Sequence, residues 1–317
     1  MPERAARRPP GSLVAHAAIS MIARLGMRID RPRERIPWLM SRADASDSMP
    51  SAARRLTAAL LLVTLAAACA SPARRWWDHV ANAGLQGTVV AGDPFRHVVL
   101  EHPGRWSRVL HVYIDGDGTP WDAWSPAADP TPRNPLVLKL MRLDDSPTLY
   151  LGRPCYHGLR DDFGCTPALW TSERYSDRVV GSMTAALARH PTTRAFDRLA
   201  FIGYSGGGVL AVLLAARFSQ TAGVVTVAAN LDIDAWTARH GYLRLAGSLN
   251  PASQPPLPSH LYQRHYLGGR DRVVPPEIVS GGRFEPSTIV LVPDFDHVCC
   301  WQDLWPSIIA DLTRGTE

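Results

Sequence analysis

Short apolar runs alternate with longer amphipathic stretches from about residue 85 to the end of this 317-residue chain. The runs have the length and valine-rich composition of buried strands, and the stretches between them have helical spacing. Strands that alternate with helices form a parallel sheet, because each parallel pair needs a crossover connection. The sequence therefore predicts an α/β fold with a mostly parallel sheet of about eight strands and helices on both faces. The predicted strands are 85–91, 97–101, 108–114, 148–151, 199–203, 223–229, 261–267 and 288–292, and the predicted helices are 134–143, 172–190, 206–218 and 301–314.

No internal repeat or low-complexity linker interrupts the chain after residue 80, so residues 81–317 are expected to form one domain. Within it, residues 232–258 are rich in proline and serine and are predicted to be a modest insertion.

A G-x-S-x-G pattern lies between the strand predicted at 199–203 and the helix that follows it. It reads Gly203-Tyr204-Ser205-Gly206-Gly207. A serine nucleophile on a tight strand-to-helix turn needs very small neighbours, and the helix N-terminus brings amide N–H groups to the developing oxyanion. The context therefore indicates a nucleophile at Ser205, whereas the pattern alone would also fit a glycine-rich turn with a surface serine.

A nucleophilic serine needs a base, and the base needs an orienting acid. Asp271 follows the strand predicted at 261–267, and His297 follows the last predicted strand. Ser205, Asp271 and His297 thus each come just past the carboxyl end of a strand, where open α/β sheets bind ligands. Asp294 and Asp296 are the alternative acids, but they share a loop with His297, from which its far ring nitrogen is awkward to reach.

These three segments together resemble the α/β-hydrolase family: the G-x-S-x-G elbow, a G-x-x-D-x-x-V-P turn at 268–275 and a histidine after the final strand. The resemblance covers roughly residues 85–315. It implies the α/β-hydrolase fold, with Ser205 as nucleophile, Asp271 as acid and His297 as base.

The resemblance also implies an oxyanion hole made by the amide after the nucleophile, that of Gly206, and by one from the loop after the third strand. Many members have His-Gly in that loop, whereas this chain has Asp-Gly-Asp-Gly at 115–118. Gly116 and Asp117 are the expected positions of the second donor. A tight acidic turn without a catalytic role is the alternative.

The expected activity is therefore that of a serine hydrolase that works through an acyl-enzyme on a small-molecule ester or acyl substrate, without a cofactor or a metal. Carboxylic esters are the first expectation. An acyltransferase or a peptidase using the same triad, and a non-catalytic binding lipoprotein on a hydrolase scaffold, are the alternatives.

The chain's net charge of +5 lies in its N-terminal part. Residues 1–68 hold 11 of the 34 basic and 5 of the 29 acidic residues, which leaves 23 basic against 24 acidic residues from Cys69 onward. The part predicted to fold is thus nearly neutral, and a nucleic-acid partner is not indicated.

Residues 49–68 have the pattern of a secretory signal peptide. Arg54 and Arg55 precede an apolar run of about ten residues and a small-residue site at Ala66-Ala67-Ala68, directly before Cys69. The run is shorter than the roughly 20 residues of a membrane span. A cysteine at this point resembles a bacterial lipoprotein site, so Cys69 is the expected lipid attachment and the protein is expected to be exported and anchored facing the periplasm. Plain secretion and an uncleaved anchor are the alternatives.

Residues 1–48 precede this signal, although signal peptides begin at an N-terminus. We therefore expect translation to start at Met49, with 1–48 a mis-assigned upstream extension that would be disordered if translated. Residues 69–80 are expected to be a tether.

Four cysteines remain once Cys69 is set aside, and in an oxidising compartment they allow three pairings. Cys155 and Cys165 close a short glycine-containing loop and are the predicted disulfide. Cys299 and Cys300 would then form a vicinal bridge or stay reduced.

Overall fold

The computed structural model describes residues 71–280 and 284–317. The extension predicted at 1–48, the signal peptide predicted at 49–68 and the expected lipid site Cys69 lie outside these residues. Among the described residues, no helix is long and apolar enough to cross a membrane.

Eight strands form one sheet in the order β1-β2-β6-β3-β7-β8-β9-β10. The six strands from β6 to β10 in this order run parallel, and β1 and β2 add an antiparallel edge. This confirms the predicted mostly parallel sheet. The strands are β1 (Gly87–Ala91), β2 (Arg96–His102), β3 (Val109–Ile114), β6 (Thr148–Leu151), β7 (Arg198–Tyr204), β8 (Thr221–Val227), β9 (Tyr262–Gly268) and β10 (Ile289–Val292), with a separate hairpin of β4 (Trp121–Asp122) and β5 (Ser125–Pro126).

Helices cover both faces of the sheet. They are α1 (Pro72–Asn82), α2 (Leu136–Arg142), α3 (Asp177–Arg189), α4 (Pro191–Arg194), α5 (Gly206–Ala215), α6 (Ile233–His240), α7 (Glu277–Ser280) and α8 (Trp301–Thr316). The core of one face contains buried residues of α3 and α5, and the core of the other contains those of α1, α2 and α8. Successive residues of a strand point to opposite faces of the sheet, and helices cover both faces. The central strands β3 and β8 are therefore buried along their whole length, and their sequences are continuous runs of mostly apolar residues.

The expected tether at 69–80 is wrong from residue 72 onward. Ser71 caps α1 by accepting a hydrogen bond from Arg74 N at 3.2 Å, and a proline occupies the first helical position. Trp76 and Val80 lie one helical turn apart and are both buried in the core. The helix is therefore part of the folded domain.

Three predicted helices are shorter in the structure. The helix expected at 134–143 spans only Leu136–Arg142, with Pro135 at its N-cap position. The helix expected at 172–190 begins after its cap Ser176, because residues 171–175 form turns and place Tyr175 in the core. The helix expected at 206–218 ends at Ala215. The insertion predicted at 232–258 contains α6 and a loop beyond it.

Candidate active site

Ser205 occupies the turn between β7 and α5. Its backbone has φ 52° and ψ −127°, a strained conformation for a residue with a side chain. The flanking glycines are required by space: a Cβ at Gly203 would collide with the carbonyl oxygen of Gly207, and one at Gly207 would collide with that of Ile114. This is the geometry of a nucleophile elbow, in which the hydroxyl is held out at the carboxyl end of the sheet.

The structure brings Ser205, His297 and Asp271 together, although they are far apart in sequence. Ser205 Oγ lies 3.1 Å from His297 Nε2, and His297 Nδ1 lies 2.8 Å from Asp271 Oδ2. A proton on Nδ1 facing the carboxylate leaves Nε2 free to accept the proton of the serine hydroxyl. The three side chains thus form one continuous hydrogen-bonded chain.

Asp271 is itself fixed by the turn after β9. Its Oδ1 accepts hydrogen bonds from the amides of Val273 and Val274, both at 2.8 Å, and its side chain is fully buried. The alternative acids are engaged elsewhere. Asp294 pairs with Arg270 at 2.6 Å, and Asp296 accepts from two amides of its own loop, which together lower the pKa of Asp296.

Aromatic residues flank His297. The Trp301 indole N–H donates to the carbonyl of His297 at 3.2 Å, and the ring centroid of Tyr204 lies 5.3 Å from that of the imidazole. The imidazole side chain is 15% exposed, so its ring can be reached from solvent. A groove of about 1010 Å³ opens beside it and is also lined by Asp271, Arg272 and Val273.

The loop after β3 lies directly against Ser205. A Cβ at Gly116 would come within 3.3 Å of Ser205 Cβ. The amide of Gly116 donates to its neighbour Asp115 Oδ1 at 2.8 Å, whereas no group in the described ranges accepts from the amide of Asp117. Of the two positions that the sequence predicted for the second oxyanion donor, Asp117 is thus the one with a free N–H, and Gly206 begins helix α5 directly after Ser205.

Four side chains hold Asp117. Its Oδ1 accepts from Arg153 at 2.7 Å, and its Oδ2 accepts from Arg174 at 2.9 Å and from the Tyr175 hydroxyl at 2.6 Å. The Tyr156 hydroxyl donates to the Asp117 carbonyl at 3.0 Å. Sequence reasoning missed this cluster, because its members come from separate loops. The one signal in the sequence is an arginine directly beside a tyrosine, at Arg174-Tyr175.

No model of a known protein family matches the sequence, and no curated protein matches it. Solved structures do match. The proline iminopeptidase-related protein TTHA1809 from Thermus thermophilus is 14% identical, with 73% of this chain and 99% of that chain covered and a TM-score of 0.51. XC6422 from Xanthomonas campestris, described as an α/β serine hydrolase without a lid, is 15% identical, with 73% and 93% covered and a TM-score of 0.48. Esterase Pf2001 from Pyrococcus furiosus is 14% identical, with 74% and 93% covered and a TM-score of 0.49.

The chain has the α/β-hydrolase fold. At these identities the likeness concerns the fold, and the chemistry depends on the residues of this chain's own site. On this α/β-hydrolase fold the described residues contain no group of three or more His, Cys, Asp or Glu side chains that could hold a metal ion.

The α/β-hydrolase domain contains the predicted disulfide between Cys155 and Cys165, whose Cα atoms lie 5.7 Å apart. Its loop follows β6 and carries Arg153 and Tyr156 at its start, so the bridge lies next to two of the groups that hold Asp117. Cys299 and Cys300 are joined as a vicinal pair.

Proposed function

We propose that this protein is a serine hydrolase that cleaves carboxylic esters through an acyl-enzyme, with Ser205 as nucleophile, His297 as base and Asp271 as the acid that orients the base. The observation that carries the proposal is the hydrogen-bonded chain from Ser205 Oγ through His297 to the buried carboxylate of Asp271, located at a nucleophile elbow. This arrangement is what acyl transfer by a serine requires.

In the proposed reaction, Ser205 Oγ attacks the ester carbonyl carbon while His297 Nε2 takes the hydroxyl proton. Asp271 stabilises the imidazolium ion that forms and keeps the remaining proton on Nδ1. The imidazolium then gives its proton to the leaving alcohol. Water attacks the acyl-enzyme with His297 again as base, which releases the acid and restores Ser205.

The developing oxyanion would be stabilised by the amides of Gly206 and Asp117. Gly206 lies at the start of α5, where amides lack intrahelical partners and the helix dipole favours negative charge. The free amide of Asp117, in the loop that contacts Ser205, supports its role as the second donor.

Small or medium esters are the proposed substrates, because His297 is accessible from solvent and the insertion that could cover the site is short. The imidazole is partly exposed, and the insertion at 232–258 contributes one eight-residue helix and a loop. A peptidase or an acyltransferase with the same triad would need further groups for an amine or an acceptor.

The proposal is tested by incubating the purified chain with a fluorophosphonate probe and with chromogenic esters, thioesters and peptides of graded size. We expect covalent labelling at Ser205 and hydrolysis of short esters, and neither in Ser205→Ala. Transfer to added alcohols in preference to water would show an acyltransferase, and cleavage of peptides alone would show a peptidase. If the protein binds these esters but the probe does not label it, the result would indicate a non-catalytic binding protein.

We also propose that the protein is exported and anchored to a membrane by lipid on Cys69. The small-residue site before this cysteine and the Cys155–Cys165 bridge, which fits an oxidising compartment, support this. In cells, Cys69→Ala is expected to move the protein from the membrane fraction to the soluble fraction and to stop incorporation of labelled fatty acid. Equal fatty-acid labelling of wild type and variant would contradict the anchor.

A further inference from the structure

The carboxylate of Asp117 occupies the space that a side chain at position 206 would fill. A Cβ at Gly206 would collide with Asp117 Oδ1 and would lie 2.5 Å from the Tyr175 hydroxyl oxygen. Position 206, directly after the proposed nucleophile, therefore has to be a glycine, because the Asp117 carboxylate leaves no space for a side chain. The same contact puts a carboxylate beside one of the amides proposed to bind the oxyanion.

A negative charge at this place would oppose the negative charge that develops on the substrate, unless it is neutralised. Burial raises the pKa of Asp117, but the charges of Arg153 and Arg174 and the hydrogen bond from Tyr175 together lower it below its ordinary value. Asp117 is therefore ionised and paired. Both guanidinium groups are buried, with side chains 3% and 6% exposed, so these ion pairs are little screened by water.

The contacts fix Asp117 from several directions. Arg153 and Arg174 reach separate carboxylate oxygens from different loops, and Tyr156 holds the carbonyl of the same residue. Arg174 is held in turn, because its Nε donates to the Thr171 carbonyl at 2.6 Å. A residue bound at both its side chain and its carbonyl has little freedom to rotate the amide on its N-terminal side.

We propose that Arg153, Arg174 and Tyr175 are positioning residues for the reaction at Ser205: they hold the ionised Asp117 so that its amide stays directed at the oxyanion, and they offset its charge there. This rests on the proposed function. The three residues contact Asp117, so we expect their removal to weaken binding of the transition state and to leave binding of the ground state unchanged.

Tyr175→Phe tests this with the smallest change, because it removes one hydroxyl. Tyr113→Phe is the matched control: the Tyr113 hydroxyl is equally buried and donates to a carboxylate, Asp144 Oδ2, at 2.7 Å. Losing a whole oxyanion donor costs about 10²–10³ in kcat, so a misaligned one is expected to cost about tenfold. We expect Tyr175→Phe to lower kcat by about that factor with KM within about twofold, and Tyr113→Phe to lower the melting temperature similarly with kcat unchanged.

A boronic acid that forms a tetrahedral adduct on Ser205 gives the readout that a purely structural role would not change. Its affinity for Tyr175→Phe should fall by the same factor as kcat/KM. Arg174→Lys keeps the charge and should retain more activity than Arg174→Met at equal folded fraction.

Equal kcat losses in Tyr175→Phe and Tyr113→Phe, or a rise in KM with kcat unchanged, would overturn the positioning role while leaving the hydrolase intact. A wild-type chain that is neither labelled at Ser205 nor active on any ester would overturn the proposed function, and the positioning role with it.

Discussion

At the scale of single residues, Asp271 divides its carboxylate between two partners. One oxygen accepts the two amides of the turn after β9, and the other faces His297 Nδ1. An asparagine could keep the amide contacts through its carbonyl, but its NH₂ group would face Nδ1 and favour the wrong imidazole tautomer.

Asp271→Asn is therefore expected to fold normally and to lose about 10⁴ in kcat, as the equivalent change does in serine proteases. Asp294→Asn is the control, because its carboxylate pairs with Arg270 on the surface, and it should keep kcat within about twofold. Steady-state kinetics on one ester decides the matter. A larger loss of kcat in Asp294→Asn than in Asp271→Asn would show that Asp294, on the same loop as His297, is the acid.

Asp115 begins the loop that contacts Ser205, and it is buried without a direct ion pair in the described residues. Burial, opposed by the amide of Gly116 and the charge of Arg153, raises its pKa to about 7. The folded chain thus keeps a proton that the unfolded chain releases near pH 4. The free energy of unfolding should fall as pH rises from about 4 to about 7 and should not change further from this group above that range.

Asp115→Asn should remove this dependence, since its side-chain oxygen can still accept from Gly116 N. At pH 8 it should be more stable than the wild type by up to about 4 kcal/mol, and at pH 4 the difference should vanish. Urea unfolding at several pH values measures both curves. The same difference between the two proteins at every pH would show that Asp115 is ionised in the folded chain.

At the scale of elements, α1 shows what local sequence leaves undecided. Trp76 is 1% exposed and packs against Tyr150 and His157, with ring centroids 5.4 and 3.9 Å away. Both partners come from the region of β6, far along the chain. Nothing next to Trp76 in the sequence indicates that these partners exist, which explains why the local sequence predicts a tether here.

Trp76→Ala should lower the free energy of unfolding by about 3–5 kcal/mol, as expected for a large buried aromatic side chain. Trp106 is 85% exposed, so Trp106→Ala should change it by no more than about 0.5 kcal/mol. Urea denaturation of both variants provides the comparison. Equal small effects would mean that α1 does not unfold together with the rest of the domain.

The difference between local sequence signals and contacts that are distant in sequence also explains how much of the site could be predicted. The sequence predicts Ser205, Asp271 and His297 as one set because each follows a strand within a short, recognisable turn, and the structure brings the three together. The partners of Asp117 have no such local signal. Arg153 and Arg174 lie in irregular loops 36 and 57 residues away from it, and no periodicity ties them to it. Strand-end chemistry is locally encoded, whereas a buried ion-pair cluster depends on how the loops fold over the sheet.

At the scale of the whole molecule, the loop after β6 carries both a disulfide bridge and two of the side chains that hold Asp117. It contains the Cys155–Cys165 bridge, and His157 of the same loop lies against Trp76 of α1. It therefore connects the N-terminal helix to the residues that hold Asp117, although it has no regular secondary structure of its own before the 3₁₀ turn at Pro167–Trp170.

The bridge between Cys155 and Cys165 closes a loop with a sequence separation of 10 residues. In the chain-entropy description such a closure restricts the unfolded chain by about 2–3 kcal/mol. The double variant Cys155→Ser/Cys165→Ser should therefore be less stable by about that amount in urea. The control is Cys299→Ser/Cys300→Ser, because a bridge between adjacent residues closes almost no chain and its loss should cost less than about 1 kcal/mol.

Since Arg153 and Tyr156 flank Cys155, the Cys155→Ser/Cys165→Ser variant should also lose kcat under conditions where it remains folded. Unchanged stability and unchanged kcat in that variant would show that the ion pairs and the core alone hold the loop.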